Sequence, residues 1–240
     1  MGSRRVMMAL GDQGELMIKR YQSNYSNEVH QLIVSPSKHY YITNRGVFKY
    51  QKKPFELKLE KIDQAKKIHT IHYLLRDHFS GLFYWEICSS NAPIPIYAFL
   101  FRAWSKKQFH PLYGIPDFMT VPKNVQSYFP GLISFIEKIG VTYIKVTSGF
   151  QGGVRDIRTI EDELMLAGFD YVNPHLSQKE PPFDLVLARV PEICKRFSDS
   201  LYRKPSKKEA WLSGIESEDK IMVPKRLKTF EESYHSTQQG

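Results

Sequence analysis

Ile68-His69-Thr70-Ile71-His72-Tyr73-Leu74-Leu75-Arg76, then Asp77-His78-Phe79-Ser80-Gly81, then Leu82-Phe83-Tyr84-Trp85-Glu86-Ile87-Cys88 is the stretch that decides the fold. Its two flanks are rich in β-branched and aromatic residues, the composition of strands. Between them Asp77 and Ser80 are residue types that cap turn backbone, and Gly81 permits the bend. Upstream, Phe55, Leu57 and Leu59 alternate with Glu56, Lys58 and Glu60, so Phe55 to Ile62 reads as a half-buried strand. A lysine-bearing turn (Lys66, Lys67) links it to the next strand, and the three together predict an antiparallel meander.

Past Cys88 the period changes. Ile96 to Lys107 reads as a helix with Ile96, Leu100 and Trp104 on one face and Lys106-Lys107 at the end where the dipole favours cations. Asp117 to Val121 is a short strand ended by Pro122. Pro130-Gly131 opens a helix over Leu132–Ile139 that Gly140 closes, and Val141–Val146 is a further strand. Gly149, Gly152 and Gly153 form a loop, after which Asp156 or Thr159 caps a helix running to Ala167. The order β-β-β-α-β-α-β-α predicts an α/β fold with one mixed sheet and helices on its faces.

This core is assigned to residues 54–180. Residues 1–53 form an N-terminal extension with short helices at Glu15–Tyr21 and Asn27–Val34 and a β-hairpin, His39–Thr43 and Val47–Tyr50 around Asn44-Arg45-Gly46. Residues 181–240 form a helical, basic C-terminal region. It has one or two helices between Asp184 and Tyr202 around Pro191, basic clusters at Arg203–Lys208 and Lys225–Lys228, and a polar, disordered end from Ser233.

Composition narrows the chemistry. The net charge of +9 over 240 residues favours nucleic acid or another polyanion as partner. Two distant cysteines, Cys88 and Cys194, exclude a disulfide framework and a thiolate zinc site and read as small buried hydrophobes. His69 and His72 are separated by an odd number and face opposite sides of a strand, which argues against a histidine metal site. Trp85 and Trp104 read as core. No membrane span, signal peptide or myristoylation signal is legible, so a soluble cytoplasmic or nuclear protein is expected.

Several local sequences, in order, resemble integrase and transposase catalytic cores of the ribonuclease-H-like superfamily. His72–Gly81 is similar to the family's Y-L-x-x-x-D-x-x-S-R stretch. Gly114-Ile115-Pro116, with the strand ending at Val121-Pro122-Lys123-Asn124, looks like its G-x-P-x-x-x-x-x-D-N-G. Gly140-Val141 and Gln151-Gly152-Gly153-Val154-Arg155 resemble its lone Gly-Ile and its P-x-x-N-G-x-V-E-R. The resemblance spans Pro54 to about Ala167 and implies a ribonuclease-H-like core handling DNA.

In that family three carboxylates hold two divalent cations, Mg²⁺ or Mn²⁺, which activate the attacking oxygen and stabilise the leaving one. The acids come from the first strand, the end of the fourth strand and the start of the helix after the glycine loop. Carried onto this chain, those positions fall near Glu60, on Pro122 or Lys123, and on Arg155 with Asp156 beside it. Proline binds no metal and a cation repels one. The resemblance therefore implies a catalytically inactive, mobile-element-derived protein, needing no cofactor, that binds DNA, a recombinase or a second copy of itself. The alternative is an active metal-dependent strand transferase or nuclease using displaced acids, with Asp77, Asp117 and Glu161 or Glu163 as its triad. Phosphate contacts are expected at Lys123, Arg155, Arg203, Lys204, Lys207, Lys208, Lys225, Arg226 and Lys228.

Overall fold

The computed structural model describes residues 8–10, 16–18, 23–145, 152–170, 181–199 and 205–238. Strands β1 (Met8–Leu10) and β2 (Leu16–Ile18) pair antiparallel with each other. The main sheet is built from β3 (Val29–Ile42), β4 (Phe48–Tyr50), β5 (Ile68–Asp77), β6 (Phe83–Ser89), β7 (Phe118–Thr120) and β8 (Thr142–Ile144). Its order is β6-β5-β3-β7-β8, with β4 added beside the end of β3. β3, β5 and β6 run antiparallel, while β7 and β8 run parallel to β3, so the sheet is mixed as expected.

The helices are α1 (Ile96–Trp104), α2 (Lys123–Tyr128), α3 (Leu132–Lys138), α4 (Gly152–Asp170), α5 (Phe183–Ser198), α6 (Lys207–Ser213) and α7 (Leu227–Ser236). The meander's second and third strands, the hairpin and the helices over 96–104 and 132–138 lie where the sequence predicts. Asp77 is the turn former it was read as. Its carboxylate accepts from the Asn27 amide (3.0 Å), the Ser80 amide (2.7 Å) and the Ser80 hydroxyl (2.6 Å). Gly81 bends the chain at φ 73°.

The first strand of the meander is a correction. Residues 55–58 carry no regular structure, and Leu59–Gln64 is a 3₁₀ turn whose Leu59 and Ile62 reach the core. The central strand is β3, drawn from the segment expected to be an extension, and it replaces the helix expected at Asn27–Val34. Leu32 and Val34 pack on one face of the sheet and Ile33 on the other. A strand buried on both faces loses the polar–apolar alternation that betrays a strand. Likewise Leu16–Ile18, inside an expected helix, is extended.

Other departures follow from packing. Pro122 ends β7 and also stands as N-cap of α2, which the sequence did not announce. Gly152 and Gly153 belong to α4 rather than to a loop, and Asp156 and Thr159 sit inside the helix, not at its cap. Gly149 lies outside the described residues. α5 runs through Pro191 as one helix. Ser233–Ser236, expected to be disordered, closes α7, and the Gln238 side chain donates to the Pro130 carbonyl at 2.6 Å.

Two apolar clusters sandwich the sheet. On one face α1, α2, α3 and α7 pack over Leu32, Val34, Tyr73 and Leu75, and the buried Trp211 of α6 joins them. On the other, α4 and α5 cover Ile33, Leu74, Phe83 and Trp85. The C-terminal segments thus help to close both faces. Cys88 and Cys194 are buried free thiols, pushed up to about 11 and about 12 by burial, and are inert hydrophobes at neutral pH. Among the described residues no helix is long and apolar enough to cross a membrane.

Candidate functional site

Two strands of the sheet, β3 and β5, meet the first turn of α4, and β7 lies beside β3. Gln31 pairs with Thr120 in the parallel register, the last pair before β7 ends. The helix settles directly onto the strand. A Cβ on Gly153 would stand 2.0 Å from Cδ1 of Ile33 and 3.6 Å from Cδ2 of Leu74. Glycine is therefore required at 153 for close approach of helix to sheet, and Gly152 faces Arg76 in the same way at 2.8 Å. Ile33, Leu74, Ile157 and Ile160 fill the junction.

Around this apolar contact the charges pair among themselves. Asp156 accepts from Arg76 Nε at 2.9 Å and from Lys207 Nζ at 3.1 Å. Arg76 Nη1 also donates to Gln31 Oε1 at 3.1 Å, and Lys207 lies 4.3 Å from the centre of the Phe83 ring. A carboxylate held between two cations is already neutralised. Lys207 is thus a structural cation rather than an exposed phosphate contact.

One turn and a half further along α4, Glu161 forms a second polar knot. His72 is fully buried; its Nδ1 accepts from the Trp85 indole at 3.1 Å, so Nε2 carries the proton and donates to Glu161 at 3.2 Å. Ser37 donates to the same carboxylate oxygen and accepts from the Tyr40 amide at 2.9 Å, closing the bulge where β3 slips between Pro36 and Tyr41. Burial alone would raise the Glu161 carboxyl, but the His72 and Ser37 donors hold it below the usual carboxylate range. The carboxylate lies between the hydroxyl and the imidazole, so His72 cannot act as base toward Ser37. A cavity of about 430 Å³, lined by Ser35, His39, Tyr50, Arg158 and Glu161 among others, opens beside this knot.

The remaining candidate acids are dispersed. Glu60 is exposed in the 3₁₀ turn. Asp77 is spent on its turn, and burial pushes its carboxyl up against the effect of its donors. Asp117 is exposed ahead of β7 and accepts from the Tyr25 hydroxyl at 2.6 Å; burial first, then this carboxylate, pushes the Tyr25 phenol up. Glu163 pairs with Arg196 at 3.2 Å on the surface. Among the described residues no group of three His, Cys, Asp or Glu is placed to hold a metal ion.

Of the predicted phosphate contacts, Lys123 is exposed at the start of α2 and Arg155 in the first turn of α4. Lys208 is exposed beside Asp199 at 3.7 Å, Lys225 and Arg226 are exposed ahead of α7, and Lys228 faces Glu232 at 3.8 Å. Arg203 and Lys204 lie outside the described residues. Sequence reasoning missed Ile33, Arg76, His72 and Ser37. Arg76 and His72 share one face of β5 by parity, which was the available signal; nothing marked Ile33 while its segment read as a helix.

Compared with known proteins, the chain matches no family model and no curated protein. Among solved structures it is similar to a chain of the simian T-cell lymphotropic virus intasome in complex with PP2A regulatory subunit B56 gamma. The TM-score is 0.43 and the identity 11%, and the match covers 93% of this chain and 64% of that one. At 11% identity nothing of that complex's chemistry passes to this chain.

Proposed function

We propose that this chain is an integrase-core-like nucleic-acid-binding protein of ribonuclease-H-like topology, derived from a mobile element, that holds DNA without cutting it. The observation that carries the reading is the sheet order β6-β5-β3-β7-β8 with α4 seated on Ile33 of β3 through Gly153. On this reading Ile33, Pro122 and Arg155 stand where the family's three acids would. Moving the first strand from residues 55–62 to β3 moves the first acid position off Glu60 and onto β3, where a hydrophobe fills the space.

Two exposed cations, Lys123 at the start of α2 and Arg155 in the first turn of α4, suit a phosphodiester on this reading. Lys208, Lys225, Arg226 and Lys228 are further phosphate contacts on this reading. Bound DNA is then positioned, and no sequence is read by these side chains. A recombinase or a second copy of the chain remains the natural protein partner for such a holder.

Binding of labelled duplex DNA across a salt series tests it. Each neutralised phosphate contributes about −0.9 to the slope of log K against log salt, so a holder with all six contacts gives a slope of about −5.4. Lys123→Gln with Arg155→Gln should weaken binding several-fold. A flat salt response overturns the reading.

A further inference from the structure

We infer that the tip of the β3–β4 hairpin, with the turn ahead of β5, forms a second nucleic-acid contact: a basic trough that takes a run of backbone phosphates. The inference rests on the nucleic-acid reading above and names a surface that reading does not use. The trough has a volume of about 580 Å³ and is lined by Tyr41, Asn44, Arg45, Lys49, Lys66 and Lys67 among others. Among the described residues lining it there are four cations and no carboxylate. It lies beyond the bulge of β3, five residues from Ile33 as counted on the paired strand β5 (Leu74 to His69), ~17 Å at ~3.3 Å per residue, so it is separate from the filled junction.

The trough is built in advance of any ligand. The Gly46 amide donates to the Thr43 carbonyl at 2.9 Å, and the Val47 amide to the Thr43 hydroxyl at 3.1 Å. The hairpin is also tied to the chain ahead of α5: Phe48 donates to the Pro181 carbonyl and Phe183 to the Gly46 carbonyl, each at 2.9 Å. Lys67 is fixed 4.1 Å above the Tyr41 ring and donates to Gln51 Oε1 at 3.1 Å. Cations on a rigid frame bind without a large ordering cost.

The form of the trough chooses the ligand. Its four cations come from the hairpin tip, β4 and the 66–67 turn with no carboxylate among the described lining residues, a charge complement to a chain of phosphates. Tyr41 holds Lys67 in place beside the other cations.

The test compares the full chain with its R45Q/K66Q variant on labelled single-stranded and duplex oligonucleotides across a salt series. Both residues are exposed, and an unchanged melting temperature verifies the fold; if the pair melts early, K66Q alone carries the test. The expected result is at least five-fold weaker binding to one or both oligonucleotides and a salt slope less negative by about 1.5–2. R45K/K66R should restore it. Steep salt-dependent binding that R45Q/K66Q leaves unchanged overturns this inference and leaves the function reading intact. Absence of salt-dependent binding in the unmodified chain overturns both. Loss of binding to phosphatidylserine vesicles in R45Q/K66Q, with oligonucleotide affinity unchanged, reassigns the trough to a membrane surface and overturns the inference.

Discussion

The two faces of the sheet bury two histidines in opposite ways. On the α1 face, His30 is fully buried and its Nδ1 accepts from the Trp104 indole at 3.1 Å, and burial drives its pKa down to about 3. On the α4 face, His72 accepts from Trp85 in the same manner but turns its other nitrogen to Glu161. One face is an apolar packing surface that tolerates only a neutral imidazole. The other carries a polar seam, Glu161 hydrogen-bonded to His72 and Asp156 paired with Arg76 and Lys207, around an apolar plug at Ile33. The charges of the second face are consumed in holding α4 down.

Breaking the first face should have the largest effect. Phe99→Ala removes a fully buried ring packed against Tyr73 and Tyr84 and should cost about 3–5 kcal/mol in denaturant unfolding.

Acid should come next, acting on histidines that burial keeps neutral. The folded values of His30 and His110 are both about 3, so as pH falls through about 6.5 the unfolded chain takes up protons that the folded chain refuses. Stability from these groups is intact above that pH and is lost below it, by about 1.4 kcal/mol per pH unit for each histidine. Melting temperatures between pH 7.5 and 5 measure this, and His30→Gln should flatten the curve.

The plug is tested by Gly153→Ala, where the new Cβ meets Ile33. Overpacking should cost about 1–3 kcal/mol, and Ile33→Ala in the same chain should recover part of it. Additive losses would mean that helix and strand do not share this contact.

The smallest expected effect is at the seam. Glu161→Gln should cost about 1.5 kcal/mol at pH 7, the scale of a hydrogen bond to a charged group. Because the folded carboxyl is held low, the wild-type advantage is complete above about pH 4.3 and lost as pH falls through the folded value.

Much of the fold was legible because local signals agreed with the tertiary context. The β5–turn–β6 unit shows strand composition on both sides of Asp77 and Gly81, and α3 is bracketed by Gly131 and Gly140. The central strand was not legible. Val29, Leu32 and Ile33 fall at i, i+3 and i+4, a helical spacing, because burial on both faces makes the strand apolar without alternation. The false strand at 55–62 alternated on paper, yet Leu59 and Ile62 enter the core from a 3₁₀ turn. The absence of acids at Pro122 and Arg155 could be read from sequence. That β3 forms the centre of the sheet could not.

Mn²⁺-dependent cleavage of a labelled DNA duplex, run with a binding assay on the same sample at low salt, tests the central claim most directly. A holder with a filled junction retains the duplex and cuts no faster than buffer with metal alone. Metal-dependent cleavage that disappears in Asp77→Ala and Asp117→Ala would contradict the account and restore the displaced acids as a working centre.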